Sequence, residues 1–464
     1  MALGTVPSPG SAVSSPLDVD RIRQHFDFVR TGRVVTNNAA STQPPRELID
    51  LYRGLVPWYE NVHRGQSTAS RYTTDLFESS YDTIAAWLNA PDRRNIAMFR
   101  NTTEAINAVM YTLLTEFRDG DNMVTTMLEH NSNFVPWYGL CREILPRFGR
   151  RVEMRIARFD PATGGLDMAH LASLVDHRTK LVCCTGASNF LGSKPHLPTV
   201  RRIADTSGYH QPTGERRSLL LVDGAQLVPT TAVDVQALDV DYLAFSFHKL
   251  LAPFGVGVLY AKEHLLRHGL PFLYGGDMIA EGQVAPDHVA YNQLPWKYSA
   301  GTPNILGVIV SAQALRLLVD LASSSGDRHY FGGVTPLPRR AIEDTMARVG
   351  RYTRSLTAQA LEVLNDVDGL TVYGPTTAEQ RGPLVAFNIE GMSPFAVAEA
   401  LDRYGIESRA GCHCATLAHG ELGLDPPASC RLSFYIYNTA KDVQRATRAV
   451  ARIARGVRQP VSRR

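Results

Sequence analysis

The sequence contains few cysteines and no uninterrupted apolar segment of membrane-spanning length. Six cysteines in 464 residues are too sparse for a disulfide-stabilised secreted fold, and no two pairs have the spacing of a zinc site. The first residues lack the basic and apolar segments of a secretory signal. The longest apolar stretch, 305–322, is interrupted by Gln313, Arg316 and Asp320, which is atypical of a membrane span. These absences favour a cytoplasmic protein without a metal site.

The sequence also lacks a strong excess of charge of either sign. Its formal net charge is +3 and charged residues make up 20% of the chain, so no overall attraction to nucleic acid or to a membrane surface is indicated. Arg445, Arg448, Arg452 and Arg455 recur every three or four residues, but opposite an apolar face this pattern is typical of a solvated helix. We therefore expect a small-molecule substrate, with no nucleic-acid or membrane partner.

Short β-branched runs alternate with longer helical patterns along most of the chain, which favours an α/β fold with a mainly parallel sheet. Residues 1–18 are rich in Ser, Pro and Gly and are predicted to be a disordered extension. A large domain is expected over 19–311, and its first residues are candidates for packing on a smaller α/β domain over 336–464. Two polar stretches, 207–217 and 323–335, are predicted surface insertions.

Polar side chains follow the predicted strands of the large domain. Ligands of open α/β sheets bind beyond the carboxyl ends of the strands, so these residues are candidates for a site. The predicted strands are 96–99, 123–126, 180–184, 219–222, 242–245 and 257–260 in the large domain, and 370–373, 384–388 and 432–437 in the small one. The polar residues that follow are Thr102, Thr103, Glu129, His130, Ser188, Asn189, Asp223, Gln226, Ser246, His248 and Lys249.

Three of these residues match what the reactive ring of pyridoxal phosphate (PLP) requires. The amine of Lys249 would hold the cofactor aldehyde as a Schiff base. The carboxylate of Asp223 would keep the pyridine nitrogen protonated, so that the ring withdraws electrons. The imidazole of His130 would stack on the ring. Lys249 must lose its proton to react, and burial would lower its pKa.

A phosphate site is expected where the helix begins at Thr102 and Thr103, because free backbone N–H groups at a helix start suit an anion. Ser246 and His248 would complete this site. Taken singly, a Thr-Thr-Glu helix start is more often only a cap, and a single His or Asp after a strand is more often only a loop residue. The combination of roles is what predicts PLP.

The same residues lie in short motifs that run in a family order along the chain. These motifs are NNAAS (37–41), NVHRG (61–65), TTEAIN (102–107), EHNSNFVPW (129–137), DGAQ (223–226), SFHK (246–249), AGTPN (300–304), RAGCHCA (409–415) and CR (430–431). The series resembles the class-V aminotransferase-like branch of PLP fold type I, and within it the group II (SufS-type) cysteine desulfurases. The resemblance spans about residues 36–440 and implies conversion of L-cysteine to L-alanine.

The resemblance implies that Lys249 removes the substrate α-proton and that Cys414 attacks the substrate sulfur and keeps it as a persulfide. Arg431 would bind the substrate carboxylate, with Arg409 and Asn38 also at the substrate. Only a thiolate is nucleophilic enough for this attack. We therefore expect Cys414 to be accessible and close to positive charge, with the neighbouring histidine and arginine as sources. A sulfur-acceptor protein would be a partner.

The resemblance also assigns contacts to the cofactor. Asn189 and Gln226 would lie near the ring hydroxyl, and His130 would act in catalysis as well as in stacking. Thr302 would reach the phosphate of a neighbouring subunit, which implies a homodimer. The residues implied to bind the cofactor are Thr102, Thr103, His130, Asn189, Asp223, Gln226, Ser246, His248, Lys249 and Thr302.

A few positions depart from the family pattern. Cys412 stands where the family often has histidine. A thiol there can resolve a persulfide, bind a metal or stay inert, and the inert interpretation is favoured; Cys412-His413-Cys414 alone is too tight for a usual structural zinc site. The departures leave related reactions open, namely selenocysteine lyase, carbon–sulfur lyase, transaminase or epimerase. A non-catalytic paralogue that serves as a scaffold is disfavoured because every cofactor role is filled.

Overall fold

The computed structural model describes residues 16–323 and 329–458. Most of the predicted disordered extension and residues 324–328 of the second predicted insertion lie outside this part of the chain. The α-helices are α1 (Val19–Arg23), α2 (Arg46–Leu55), α3 (Thr68–Leu88), α4 (Thr102–Leu113), α5 (Val135–Tyr138), α6 (Met168–Leu174), α7 (Leu197–Asp205), α8 (Glu263–His268), α9 (Ile305–Ala322), α10 (Arg339–Asn365), α11 (Pro394–Asp402), α12 (Thr416–Glu421) and α13 (Ala440–Arg458). The strands are β1 (Val34–Val35), β2 (Ile96–Phe99), β3 (Asn122–Thr126), β4 (Glu153–Ala157), β5 (Thr179–Thr185), β6 (Leu219–Asp223), β7 (Tyr242–Ser246), β8 (Gly257–Ala261), β9 (Ile279–Ala285), β10 (His288–Tyr291), β11 (Leu370–Tyr373), β12 (Leu384–Ile389), β13 (Ile406–Glu407), β14 (Arg409–Gly411) and β15 (Ser429–Ser433).

The strands of the large domain form a seven-stranded sheet in the order β2-β8-β7-β6-β5-β3-β4. Within this sheet, neighbouring strands in the series β7-β6-β5-β3-β4 pair in parallel. The strand β8 runs antiparallel to both of its neighbours, β7 and β2. The predicted α/β class with a mainly parallel sheet is confirmed. Because β8 reverses direction between them, β2 and β7 point the same way, and their carboxyl ends meet at one edge of the sheet.

Both faces of this sheet are covered. Alternate residues of β5 and β6 belong to two different apolar cores: Val182 and Val222 pack into one, and Leu181 and Leu221 pack into the other. Burial on both faces explains why these strands read as continuous apolar runs. The edge strand β4 was not among the predicted strands, because its charged residues interrupt such a run.

Helix α9 is long and apolar enough to cross a membrane, but all of its residues are buried inside the protein. Its polar side chains bind the chain segment 329–335. Asp320 accepts backbone hydrogen bonds from residues 329–331, and Gln313 and Arg316 bind backbone groups of 332–335. The described part of the second predicted insertion therefore covers a core helix.

The predicted surface insertion 207–217 alternates exposed residues with buried ones. Tyr209 and Gln211 in this segment are buried. The Tyr209 hydroxyl donates to Asp121 at 2.7 Å, and the Gln211 side chain binds both the amine and the carbonyl of Lys180. The segment thus supplies polar partners to Lys180, whose side chain has no exposed surface. The polarity of the sequence alone does not distinguish a segment with such buried contacts from a fully solvated loop.

The small domain contains a four-stranded antiparallel sheet in the order β11-β12-β15-β14, with α10, α11 and α13 packed against it. The beginning of the described chain joins this domain, since β1 pairs in parallel with β13. Asn38 continues the connection through hydrogen bonds from its amide to the Ser433 carbonyl at 2.8 Å and to Asn438 at 3.0 Å.

The predicted strand 432–437 is wrong in its position. The strand β15 ends at Ser433, and the aromatic residues that follow it are buried without being part of a strand. Tyr437 packs edge-on against Phe26 and Phe28, at ring-centroid distances of 4.7 and 5.0 Å. An apolar run that fills a core between segments has the same sequence pattern as a buried strand.

Candidate active site

A cavity of about 280 Å³ lies at the carboxyl edge of the large sheet. It collects residues from the ends of β2, β3, β5, β6 and β7, as expected for an open α/β sheet, and small-domain residues close it. The sequence-predicted residues that line it are Thr102, Thr103, His130, Asn189, Asp223, Gln226, Ser246, His248, Lys249, Arg409 and Arg431.

Three predicted site residues do not line this cavity. Asn38 lines a smaller neighbouring space that it shares with Gln226 and Lys249. Cys414 is partly exposed and lies close enough to Lys249 and Arg431 to affect the pKa of both side chains. Thr302 is exposed at the surface of the chain.

One end of the cavity is the start of α4. Asn101 caps this helix by accepting a hydrogen bond from the backbone of Glu104. The backbone N–H of Thr102 donates to the Ser246 hydroxyl at 2.7 Å, and the two side-chain oxygens are 2.6 Å apart. Gly257 allows this approach, because a Cβ atom there would lie 2.4 Å from the Asn101 backbone. Hydroxyl groups and a helix start thus form one end of the site.

Lys249 and Asp223 lie at the ends of neighbouring parallel strands. Burial lowers the pKa of Lys249 to about 8, although the nearby Asp223 carboxylate opposes the shift. Burial also raises the pKa of Asp223, whose carboxylate accepts a backbone hydrogen bond from Ala225 at 2.9 Å. The lowered pKa makes the neutral, nucleophilic form of the Lys249 amine far more accessible near physiological pH than it is for an ordinary lysine.

His130 is held as a neutral imidazole. Its Nδ1 accepts a hydrogen bond from the backbone N–H of Ser132 at 3.0 Å, so the ring proton is on Nε2. Burial and the positive charge of Lys249 lower the pKa of His130 to about 4. A neutral ring of this kind can stack on a flat ligand without carrying charge.

Arg409 and Arg431 stand directly opposite each other on β14 and β15. Arg431 is buried, and its Nη1 donates to the carbonyl of Asn189 at 2.5 Å, while its Nε has no partner. Burial and the charge of Arg409 lower the pKa of Arg431 to about 9. Two guanidinium groups beside a cavity form a binding site for a carboxylate.

Cys414 lies in a tight turn formed by residues 412–415. The backbone N–H of Ala415 donates to the carbonyl of Cys412 at 2.8 Å. The two central residues, His413 and Cys414, have positive φ values of 51° and 55°. This is the pattern of a type I′ turn, in which glycine, asparagine and aspartate predominate. Two larger residues in this conformation indicate backbone strain at a functional position.

The large domain holds this turn by both of its central carbonyl groups. The Asn189 amide donates to the His413 carbonyl at 2.6 Å, and the backbone N–H of Asn131 donates to the Cys414 carbonyl at 2.7 Å. Asn131 directly follows His130. The backbone at Cys414 is thus fixed relative to the residues at the strand ends.

The side chain of His413 belongs to a buried hydrogen-bonded chain that the sequence does not reveal. Ser429 Oγ lies 3.0 Å from Nε2 of both His413 and His419, and His419 Nδ1 lies 2.9 Å from the Ala415 carbonyl. Since that carbonyl only accepts, His419 Nδ1 carries a proton, Ser429 donates to His419, and His413 Nε2 donates to Ser429. His419 also stacks on Phe190 at 3.6 Å.

These hydrogen bonds correct one expectation. His413 is buried, and burial with the charge of Arg431 lowers its pKa to about 2. The ring is therefore neutral and supplies no positive charge to the Cys414 thiolate. Arg409 and Arg431 are the sources of positive charge beside the turn.

The remaining cysteines are unsuited to nucleophilic attack. Cys141, Cys183, Cys184 and Cys430 are buried, whereas the two thiols of the turn are partly exposed. Burial raises the pKa of Cys141 and of Cys430 to about 12, and it raises the pKa values of Cys183 and Cys184 as well. A thiol without an accessible thiolate form does not react readily.

The donor set of this cavity fits PLP. The cavity has a helix start with hydroxyls at one end, a buried carboxylate and a lysine with a lowered pKa at the strand ends, and two arginines on the small-domain side. The buried Oδ1 of Asn189 has no hydrogen-bond partner. It lies in the same cavity and is free to accept from a bound ligand, such as the ring hydroxyl of PLP.

Comparison with known proteins agrees with this geometry. The chain matches the family model described as aminotransferase class-V over residues 34–330 and 342–446. It is 35% identical over 445 residues to a probable cysteine desulfurase of Halobacterium salinarum, which covers 94% of this chain and 96% of that protein. It is 36% identical over 421 residues to a cysteine desulfurase of Salmonella agona, covering 90% and 93% of the two chains.

A solved structure shows the same architecture. The apo structure of a cysteine desulfurase from Thermococcus onnurineus superimposes with a TM-score of 0.81 at 27% sequence identity. The match covers 96% of this chain and 99% of the other. The agreement therefore includes both sheets and the cleft between them.

Proposed function

The chain belongs to the class-V aminotransferase family, whose model matches most of its length, and on this premise we propose that it is a PLP-dependent cysteine desulfurase. It converts L-cysteine to L-alanine and transfers the sulfur to Cys414. The observation that carries the proposal is the arrangement around one cavity of a buried lysine with a lowered pKa, a pair of arginines and a cysteine on a fixed turn.

The arginine pair selects and orients the substrate. Arg431 offers an unpaired Nε inside the cavity, and Arg409 on the neighbouring strand adds a second guanidinium. A substrate carboxylate compensates the charges of buried Arg431 and half-buried Arg409 at once, which gives a directed and strong interaction. With the carboxylate held there, the side chain of a small amino acid is free to point towards the turn that carries Cys414.

Bound PLP supplies an electron-withdrawing ring that stabilises negative charge at the substrate α-carbon. Lys249 Nζ would hold the cofactor aldehyde in the resting enzyme, and its lowered pKa suits it to accept the α-proton of the substrate. Asp223 would keep a proton on the ring nitrogen, and neutral His130 would cover the ring face. The Thr102 hydroxyl at the start of α4 would bind the phosphate together with Ser246 and His248.

Cys414 is the nucleophile. Its thiolate attacks the substrate sulfur, a sulfur–sulfur bond forms, and the carbon–sulfur bond breaks, so that Cys414 becomes a persulfide and the carbon skeleton leaves as alanine. Arg431 lies close enough to Cys414 for the two side chains to interact electrostatically. The strained turn and its two carbonyl contacts keep the thiol at a fixed distance from the cavity.

The assembly and cellular setting are part of the same proposal. The protein is a cytoplasmic homodimer in which Thr302, exposed on one subunit, contributes to the phosphate site of the other. A sulfur-acceptor protein takes the sulfur from Cys414, which is partly exposed and can be reached from outside the cavity.

The decisive experiment measures alanine and protein-bound sulfur after adding L-cysteine to the holoenzyme. We expect one alanine for each persulfide in the absence of a reductant. Lys249→Ala should abolish both products, and borohydride reduction of the wild-type protein should attach the cofactor to the peptide that contains Lys249. Lys441→Ala on the exposed surface of α13 is the matched control. Release of alanine by Cys414→Ser at the wild-type rate would contradict the persulfide route.

A further inference from the structure

Two thiols occupy one turn beside the cavity, and the reaction described above uses only one. Cys412 and Cys414 are both partly exposed, in contrast to the buried cysteines elsewhere in the described chain. Resting on the proposed function, we propose that Cys412 is a second persulfide site, which receives the sulfane sulfur from Cys414.

The turn brings the two thiols within reach of each other. Consecutive Cα atoms are about 3.8 Å apart, so Cα atoms two residues apart are never more than about 7 Å apart. The bend at His413, closed by the hydrogen bond between Ala415 and the Cys412 carbonyl, shortens this distance. Cysteines linked through sulfur atoms typically have Cα atoms about 4.4–6.8 Å apart.

The residue between the two cysteines does not stand in the way. The side chain of His413 is buried and its Nε2 binds Ser429 at 3.0 Å, so its ring is directed into the protein. Arg409 begins the strand β14, which leads directly into the turn that carries both thiols.

The transfer is a balanced exchange that requires no other reactant. The Cys412 thiolate attacks the outer sulfur of the Cys414 persulfide, and a new sulfur–sulfur bond forms at Cys412. The original sulfur–sulfur bond breaks, and its electron pair leaves with Cys414 as a thiolate. One bond of the same kind replaces another, so the sulfur should be divided between the two positions. Cys414 is then free for a second turnover, and the turn can carry two sulfane sulfurs.

The test is mass spectrometry of the holoenzyme after L-cysteine is added without a reductant and the protein is alkylated. Trypsin releases residues 410–431 as one peptide with Cys412, Cys414 and Cys430, and fragmentation assigns the added sulfur to one of them. We expect about half of the first sulfur on Cys412 if exchange is near equilibrium, and a second sulfur on the same peptide with excess substrate. Buried Cys430 is the internal control and should stay unlabelled.

Two variants separate the alternatives. Cys412→Ser should limit the peptide to one added sulfur, on Cys414, and Cys414→Ser should carry none at either position. Alanine formation with sulfur confined to Cys414 at all times would overturn the second site and leave the desulfurase intact. Sulfur on Cys412 in Cys414→Ser would also overturn it, because loading would then be direct. A wild-type enzyme that forms no alanine and no persulfide would refute both proposals.

Discussion

Arg409 and Arg431 face each other across the β14–β15 pair, and neither forms an ion pair with a carboxylate within residues 16–323 and 329–458. Arg431 is buried and Arg409 is half-buried, and burial followed by the charge of Arg409 lowers the pKa of Arg431 to about 9. A substrate carboxylate would compensate both positive charges, so its binding should be strongly favoured.

Substrate affinity should depend on this pair far more than protein stability does. Arg431→Leu should raise KM for L-cysteine about 10- to 150-fold, the equivalent of about 1.5–3 kcal/mol for hydrogen bonds to a charged group. The melting temperature should not fall, because the change removes an uncompensated buried charge. Steady-state kinetics and calorimetry check this, with Arg445→Leu on the exposed face of α13 as control. An unchanged KM would rule out the carboxylate role.

Covalent capture of PLP by the apoprotein should depend on pH. The neutral amine of Lys249 is the reactive form, so the capture rate should rise with pH and reach its midpoint near the Lys249 pKa of about 8. Asp223→Asn removes a negative charge that favours the protonated amine, so the midpoint should move to lower pH. Stopped-flow absorbance across a pH series measures both. A midpoint near the ordinary pKa of lysine would show that Lys249 is not desolvated.

The affinity for PLP should be sensitive to one methyl group added near the start of α4, at the end of the cavity where the phosphate would bind. In Gly257→Ala the new Cβ atom meets the Asn101 backbone at 2.4 Å, so the start of α4 must shift away from Ser246. We expect weaker PLP binding, by about tenfold for the loss of one good hydrogen bond to a charged group, measured by fluorescence titration. Gly54→Ala, where nothing lies within 4 Å, should leave PLP affinity unchanged and slightly stabilise α2.

Removal of the Ser429 hydroxyl should destabilise the protein next to the turn that carries Cys414. Ser429→Ala leaves ring nitrogens of His413 and His419 buried without partners, which should cost about 1–3 kcal/mol in the free energy of unfolding. Urea denaturation followed by circular dichroism measures the change. Ser355→Ala on the exposed surface of α10 should be neutral. An equally stable Ser429→Ala protein would mean that the two histidines find other partners.

The sequence predicts the fold and the chemistry of the strand ends well, since both depend on local patterns. Six strands of the large sheet are predicted to within one residue at either end, because a strand buried on both faces is a continuous apolar run. The family, the cofactor and the desulfurase activity predicted from the motifs are confirmed by the matches along the whole chain. The individual roles of Lys249, Cys414 and Thr302 stay predictions.

What the sequence does not predict depends on contacts between distant segments. The chain from Ala415 through His419 and Ser429 to His413 exists only once α12 and β15 have packed together. The type I′ turn at Cys414 cannot be predicted from the sequence for another reason. His and Cys are uncommon at the central positions of such turns. The polarity of segment 207–217 likewise does not reveal its buried residues, because their partners lie far away in the sequence.

The joining of β1 to β13 also constrains how the chain reaches its final form. Residues 34–38 bind residues 405–438, so the small domain cannot be completed during synthesis until nearly the whole polypeptide has left the ribosome. Contacts between such remote residues form slowly. The early segment lacks its partner strand until then, and Arg409 and Arg431 pair only when β14 and β15 have both been made. A nascent chain that stops short of β15 can form the large sheet but has no closed site.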